Sequence, residues 1–312
     1  MTRAVVFGYG DVGVRGLATL LAHDIVVPVV VTHEPDANER QWQRSLLRYA
    51  RERDIATLTV ESPDPAYLLE RLGGVAPDFV FSFYYRRLLS PAILALASRG
   101  ALNLHGSLLP KFRGRAPINW AILQGERQTG VTLHYMTAKP DAGDIVAQRA
   151  FPILRDDTAL DVFRKVCALT EITLHEALPS LLAGTAPRVP QDLAAGSYCR
   201  GRTPEDGRID WRCRAQQIHD LVRAVAPPYP GALTRWAGRP ARILRTLAAP
   251  GIVTDFDEPT AFARAGRCYV QCGDRRVLRL LEIEIDGAVV PSEKLAAELS
   301  LQPLPLTELT SV

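Results

Sequence analysis

The feature that most restricts this chain is the run Ala4-Val5-Val6-Phe7 leading directly into Gly8-x-Gly10-x-x-Gly13. An unbroken apolar run of this kind reads as a strand buried on both faces, the signature of a parallel sheet. The glycines permit a tight turn into a helix from about Gly13 to Ala22. Ile25 to Val31 is a second strand, and Arg40 to Arg53, with Trp42, Leu46, Leu47 and Tyr49 among charges, reads as a surface helix. Pro77 to Phe83 and Ala101 to Leu104 are further strands, with Pro91 to Ala97 helical between them. Thr158 followed by Asp161 fits a capping box opening a long helix to about Leu182. Strands alternating with helices predict a Rossmann-like, largely parallel sheet with right-handed crossovers. Ligands of such sheets bind outside the carboxyl ends of the strands.

At 312 residues the chain predicts roughly two domains. From about Ala183 to Glu205 the periodicity lapses, and Gly184, Pro187, Pro190, Gly196, Gly201 and Pro204 punctuate the sequence. This predicts a catalytic domain over 1–188, a linker over 189–204, a second domain over 205–300 and a tail over 301–312 that frays from Leu301, with Pro303 and Pro305 in it. The second domain holds an amphipathic helix, Gln216 to Val225. Short β segments follow at Ala232 to Trp236, Ala241 to Leu244, Arg267 to Cys272 and Val277 to Glu284. Short strands with turn signals predict a small β-barrel.

Two classes of function are disfavoured by composition. The formal net charge is +3, and from Glu205 onward 14 basic residues meet 14 acidic ones, 14 − 14 = 0. A nucleic-acid surface needs a basic footprint, so no nucleic-acid partner is expected. The five cysteines form no CxxC pair, and Cys268 with Cys272 lacks a second ligand pair, so no metal is expected. An odd cysteine count without a leader predicts reduced thiols and a cytoplasmic protein. Ile25 to Val31, broken by Pro28, is too short to span a bilayer, and no membrane association is expected.

Residues 103–120, Asn-Leu-His-Gly-Ser-Leu-Leu-Pro-Lys-Phe-Arg-Gly-Arg-Ala-Pro-Ile-Asn-Trp, carry the chemistry. Asn103 and His105 fall on one face of the strand they end, because strand side chains repeat every two residues. A loop with Lys111, Arg113 and Arg115 follows, and a helix opens at Pro117. A carboxamide and an imidazole on a rigid strand end can polarise a carbonyl, and basic residues beside them can recognise an anion. A second stretch, Thr137-Ala138-Lys139-Pro140-Asp141-Ala142-Gly143-Asp144-Ile145, lies between the strand Val131, Leu133, Tyr135 and the strand Ile145, Ala147, Arg149. It is the tip of a hairpin or crossover bearing two carboxylates.

The pattern N-x-H-x-S-L-L-P-x-x-R-G, followed some thirty residues on by D-x-G-D-I, resembles the formyltetrahydrofolate-dependent formyltransferases. The form His105 to Pro117, the strand Phe81-Ser82-Phe83-Tyr84-Tyr85-Arg86 and the segment Ala226 to Ala232 are most similar to one branch. That branch is the domain of bifunctional polymyxin-resistance proteins that formylates UDP-4-amino-4-deoxy-L-arabinose for lipid A modification. The resemblance runs from Met1 to about Asp286, and the Pro-Gly-Ala segment is shared with methionyl-tRNA formyltransferases.

The resemblance implies an OB-like second domain, 10-formyltetrahydrofolate as co-substrate, and Asn103, His105 and Asp141 as the catalytic set. It places the pterin against Arg87, Leu88, Leu89, Arg115 and the loop Thr137, Ala138, Lys139, Pro140, Asp141. Asp144 is then a structural carboxylate that caps or orients its loop, and Lys111 and Arg113 are either solvated or attract a nucleotide-sugar diphosphate. Glu34, about twenty residues beyond the glycine-rich turn, also completes a nicotinamide fingerprint. The family keeps such a turn without a dinucleotide, so no NAD is expected and the glycines serve turn and packing. The acceptor implied is a UDP-linked amino sugar, with methionyl-tRNA as the alternative. The chain ends at Val312 without room for the dehydrogenase domain of the bifunctional relatives, so a separate decarboxylating dehydrogenase is the expected pathway partner. The chain itself is expected to be a monomer or homodimer.

Overall fold

The computed structural model describes residues 1–34, 42–60 and 65–306. β1 (Arg3–Gly8) buries Ala4, Val5, Val6 and Phe7 completely, as its apolar run requires. The chain continues through α1 (Gly10–Ala22), β2 (Val26–Thr32), α2 (Leu46–Arg51), β3 (Ala56–Thr59), α3 (Pro65–Gly73), β4 (Phe79–Phe83), α4 (Pro91–Leu94) and β5 (Gly100–His105). Next come β6 (Arg113–Gly114), α5 (Pro117–Leu123), β7 (Gln128–Tyr135), β8 (Ile145–Pro152), α6 (Ala159–Ala183) and β9 (Tyr198–Cys199). The helix expected over Arg40 to Arg53 is only the six-residue α2, capped by the Ser45 hydroxyl, which accepts from Arg48 N–H at 3.2 Å. Arg40 and Gln41 lie outside the described residues.

The first compact unit comprises residues 1–117, 128–152 and 163–200. Its seven-stranded sheet has the order β3-β2-β1-β4-β5-β7-β8. The first five strands are parallel, and β7 and β8 join antiparallel as a hairpin. On one face Val5, Phe7, Val29, Val31, Val80 and Ala101 pack with Leu68, Leu72 and Ile93 of α3 and α4. On the other, α1 approaches β4 so closely that a Cβ on Gly16 would lie 2.5 Å from the Phe83 ring. Register aligns Phe7 with Ser82 and Ser82 with Asn103, so Asn103 continues the α3/α4 face. There, at the carboxyl end, apolar side chains give way to polar ones. α6 opens at the expected capping box, with Thr158 N–H on Asp161 at 3.0 Å and Asp161 N–H on the Thr158 hydroxyl at 3.3 Å. By length and hydropathy α6 is a candidate membrane span, but its apolar residues Val166, Leu174, Leu178 and Leu181 are buried in the protein.

The second unit comprises residues 118–127, 153–162 and 201–312. It contains α7 (Ala215–Val225), β10 (Ala232–Trp236), β11 (Arg239–Ala248), β12 (Thr260–Arg264), β13 (Arg267–Gln271), β14 (Val277–Ile285), β15 (Ala288–Val290), α8 (Ser292–Leu301) and β16 (Leu304–Pro305). Its antiparallel sheet runs β10-β11-β14-β13-β12-β16 as a curled half-barrel, the form taken here by the expected barrel. Trp211, Ile218, Val222, Ile243, Val270, Leu280 and Ile283 belong to its core. In place of a tail frayed from Leu301, Leu304 and Pro305 pair with β12 and Leu306 is buried. Residues 307–312 lie outside the described residues.

Candidate active site

Strand pairing assembles the site. In the β5–β7 ladder Asn103 lies directly opposite His134 and His105 opposite Thr132, and Thr132 is in turn opposite Gln148 on β8. Directly opposed residues share a face, so one strip of the sheet carries Asn103, His105, His134, Thr132 and Gln148. Thr132 donates to Ser107 O at 2.6 Å and accepts from Leu109 N–H at 3.1 Å and Gln148 Nε2 at 2.9 Å, which braces the loop leaving β5.

His105 is buried, and its Nε2 lies 2.8 Å from Phe112 O. A carbonyl only accepts, so Nε2 carries a proton and the neutral ring presents a bare Nδ1. That Nδ1 is 3.7 Å from Asp141 Oδ1. Burial pulls the His105 pKa below its ordinary value, and Asp141 and the Phe112 bond only partly oppose this. At neutral pH the ring is uncharged, with its free nitrogen turned toward a carboxylate. His134 Nδ1 sits 2.8 Å from its acceptor, Tyr135 O, so its Nε2 is also bare and accepts from Asn103 Nδ2 at 3.2 Å. Asn103 Nδ2 makes a second, weaker contact of 3.4 Å with Asp141 Oδ1.

Asp141 stands at the tip of the β7–β8 hairpin with a left-handed φ of 52°, a conformation aspartate tolerates better than most residues. Gly143 is required two residues on, because a Cβ there would collide with Tyr135 O. The carboxylate accepts the Gly114 N–H at 2.8 Å. Burial alone raises its pKa, but His105 and the Gly114 N–H outweigh this and hold it well below the usual carboxylate range. The three residues expected as a catalytic set are thus brought together, with Asp141 approaching both Asn103 and His105. His134 and the Gly114 N–H were not anticipated from sequence.

The other expected contacts divide. Arg87 and Leu88 are exposed beyond β4, Leu88 at 76%, and Leu89 packs partly on the α3/α4 core. Arg115, Thr137, Ala138 and Lys139 are exposed and Pro140 half-buried, with the loop shaped by Thr137 Oγ1 donating to Lys139 O at 2.9 Å. Lys111 is exposed. Arg113 is not available to a diphosphate: it is 8% exposed, and its guanidinium points at Leu193 O, 3.5 Å away. Asp144 does not cap its loop through its carboxylate, which has no hydrogen-bond partner among the described residues. The loop is closed instead by Tyr135 N–H on Asp144 O at 2.9 Å and by the Gln191 amide, which donates to Asp141 O at 3.2 Å and Gly143 O at 2.6 Å.

The glycine-rich turn is filled by protein. Cβ atoms on Gly8 and Gly13 would lie 2.8 and 2.9 Å from Leu46 Cδ2, and one on Gly10 would strike Gln43. Gln43 Oε1 accepts the Asp11 N–H at 3.2 Å, and Arg44 pairs with the Asp11 carboxylate at 2.7 Å. The start of α1, where a pyrophosphate would sit in a dinucleotide fold, already has its anion-like partner. Among the described residues no group of three or more His, Cys, Asp or Glu side chains is arranged to hold a metal ion.

Residues 3–178 match the sequence model of the family described as formyl transferase, and residues 202–298 match the formyl transferase C-terminal domain. The chain belongs to the formyl transferase family. Among solved structures, this formyl transferase is similar to the N-formyltransferase from Helicobacter canadensis in complex with folinic acid and dTDP-3-aminofucose. The two share 20% identity over 90% of this chain and 99% of that one, with a TM-score of 0.69. A sugar 3N-formyltransferase solved with dTDP and 5-N-formyltetrahydrofolate gives 19%, 90%, 97% and 0.67 for the same quantities. Glycinamide ribonucleotide transformylase 1 from Symbiobacterium toebii is 28% identical over 61% of this chain and 93% of its own, with a TM-score of 0.53. The first two likenesses carry the fold, and function is argued from the site itself.

Proposed function

We propose that this formyl transferase moves the formyl group of 10-formyltetrahydrofolate to the amine of a nucleotide-linked amino sugar, with Asn103, His105 and Asp141 as its catalytic residues. The observation that carries the reading is the neutral His105 Nδ1 facing an ionised Asp141 beside the Asn103 amide.

As the amine forms a C–N bond to the formyl carbon, the carbonyl electron pair moves onto oxygen. The Asn103 N–H in the weak contact with Asp141 is the donor available to that oxyanion. His105 Nδ1 takes the proton that the amine nitrogen must lose, and Asp141 stabilises the imidazolium. The Nδ1–H then protonates folate N10 as the C–N10 bond breaks, yielding the formamide and tetrahydrofolate. Arg87, Leu88, Leu89, Arg115 and the Thr137–Asp141 loop are the proposed pterin contacts, the loop through its backbone groups.

The acceptor proposed is UDP-4-amino-4-deoxy-L-arabinose, on the strength of the His105 to Pro117 and Phe81 to Arg86 motifs. The structures bound to folinic acid or 5-N-formyltetrahydrofolate with dTDP or a dTDP-sugar support the same two substrate classes on this fold. Methionyl-tRNA is disfavoured by the balanced charge beyond Glu205. The test is a panel of UDP- and dTDP-linked amino sugars with methionyl-tRNA, assayed for tetrahydrofolate release. Transfer to the UDP-linked 4-amino sugar is expected. Efficient transfer to tRNA with none to any nucleotide sugar would refute the assignment.

A further inference from the structure

Between Val189 and Cys199 the chain runs back along the first unit and touches both loops that build the site. Val189 exchanges backbone hydrogen bonds with Ile145, the residue after the Asp141 loop, at 2.8 and 3.0 Å. Farther along, the Ser197 hydroxyl accepts from Phe112 N–H at 2.8 Å, and β9 pairs with β6, which contains Gly114. Phe112 holds His105 through its carbonyl, and Gly114 holds Asp141 through its N–H. Within this segment Gln191 alone sends a side-chain amide into the Asp141 loop. One nitrogen, Nε2, donates to the carbonyls on both sides of Ala142, at 3.2 Å to Asp141 O and 2.6 Å to Gly143 O.

Those two carbonyls converge because Asp141 is held at a positive φ and Gly143 turns the chain against Tyr135 O. Two converging carbonyl dipoles repel each other. A shared donor offsets the repulsion and keeps a sparsely populated backbone conformation in place. On the formyl-transfer reading, we infer that Gln191 is a positioning residue that fixes the Asp141 carboxylate relative to His105 and Asn103.

The test is Gln191→Glu, which keeps the shape and removes the amide donor, alongside Gln191→Ala, Asp141→Asn and the Gln191→Glu/Asp141→Asn double variant. Displacing a catalytic group by about 1 Å is worth up to about a hundredfold in rate. Gln191→Glu is expected to lower kcat about ten- to a hundredfold, with KM for both substrates within about threefold. Because a displaced carboxylate raises the His105 pKa less, the acid limb of the kcat profile should move to lower pH in Gln191→Ala. In the Asp141→Asn background, Gln191→Glu should cost nothing further, since its effect runs through the carboxylate. Wild-type kcat in Gln191→Glu, or an equal loss in both backgrounds, overturns the inference while an impaired Asp141→Asn leaves formyl transfer standing. An unimpaired Asp141→Asn overturns both.

Discussion

Asn103 on β5 and His134 on β7 face each other as a directly opposed pair, with Asn103 Nδ2 3.2 Å from His134 Nε2. Because His134 Nδ1–H is committed to Tyr135 O, the imidazole can only accept from Asn103. The ring therefore fixes which end of the carboxamide points toward Asp141. His134→Phe keeps a buried ring and removes that acceptor. Steady-state kinetics should show kcat down by about tenfold, the effect of about 1.4 kcal/mol in the transition state, with KM little changed. An unchanged kcat would show that Asn103 needs no such orientation.

Acid should destabilise the protein through its buried histidines. Burial holds His105 and His219 below their ordinary pKa, so the folded state favours their neutral forms. The stability they contribute is complete above the unfolded value of about 6.5 and is lost as pH falls through the lowered folded values. His219 is fixed between Thr246 Oγ1 at 2.9 Å and Arg155 O at 3.2 Å. Urea midpoints should drop between pH 7.5 and pH 5.5, and His219→Asn should flatten that slope. A midpoint that rises on acidification would contradict the assignment.

The filled turn of α1 predicts indifference to dinucleotides. A ligand at a hundredfold its dissociation constant stabilises by about 2.7 kcal/mol, so binding would be plain in a thermal melt. Millimolar NAD or NADP should leave Tm unchanged, since Gln43 and Leu46 occupy the turn. A clear upward shift would show that these side chains yield to a pyrophosphate.

What the sequence disclosed, and what it hid, follows from how each signal is encoded. The parallel strands were legible as continuous apolar runs, and Asn103 and His105 as a period-two pair at a strand end. Asp141 was legible only because its loop motif resembles a known one. His134 escaped because the alternation of Val131, Leu133 and Tyr135 draws the eye to the apolar face. Its role depends on the β5–β7 register, which is a property of pairing and not of either strand. Gln191 escaped because glycine and proline around it read as a connection, although β9 anchors that stretch to β6. Arg113 misled in the opposite sense: a cation in a basic loop suggests a phosphate partner, yet its side chain turns inward. The glycine-rich turn misleads alone, because its occupants come from residues 43–46, about thirty positions downstream.

Asp144 offers a built-in contrast with Asp141, three residues away on the same loop. Asp141→Asn removes a carboxylate that contacts Asn103, His105 and Gly114, and should lower kcat by about a hundredfold or more. Asp144→Asn changes a side chain with no hydrogen-bond partner among the described residues and should leave kcat within about threefold. Comparable losses in the two variants would show that the loop's charge, and not the placement of Asp141, matters to the reaction.

On the proposed mechanism His105 Nδ1 moves the proton from amine to folate N10, and kcat of His105→Ala measures that transfer most directly. With 10-formyltetrahydrofolate and the UDP-linked amino sugar at saturation, kcat should fall by about a hundredfold or more, the usual scale for losing a general acid–base. Binding of 5-formyltetrahydrofolate should survive, because the proposed pterin contacts lie on other residues. A His105→Ala protein with wild-type kcat across neutral pH would contradict the mechanism.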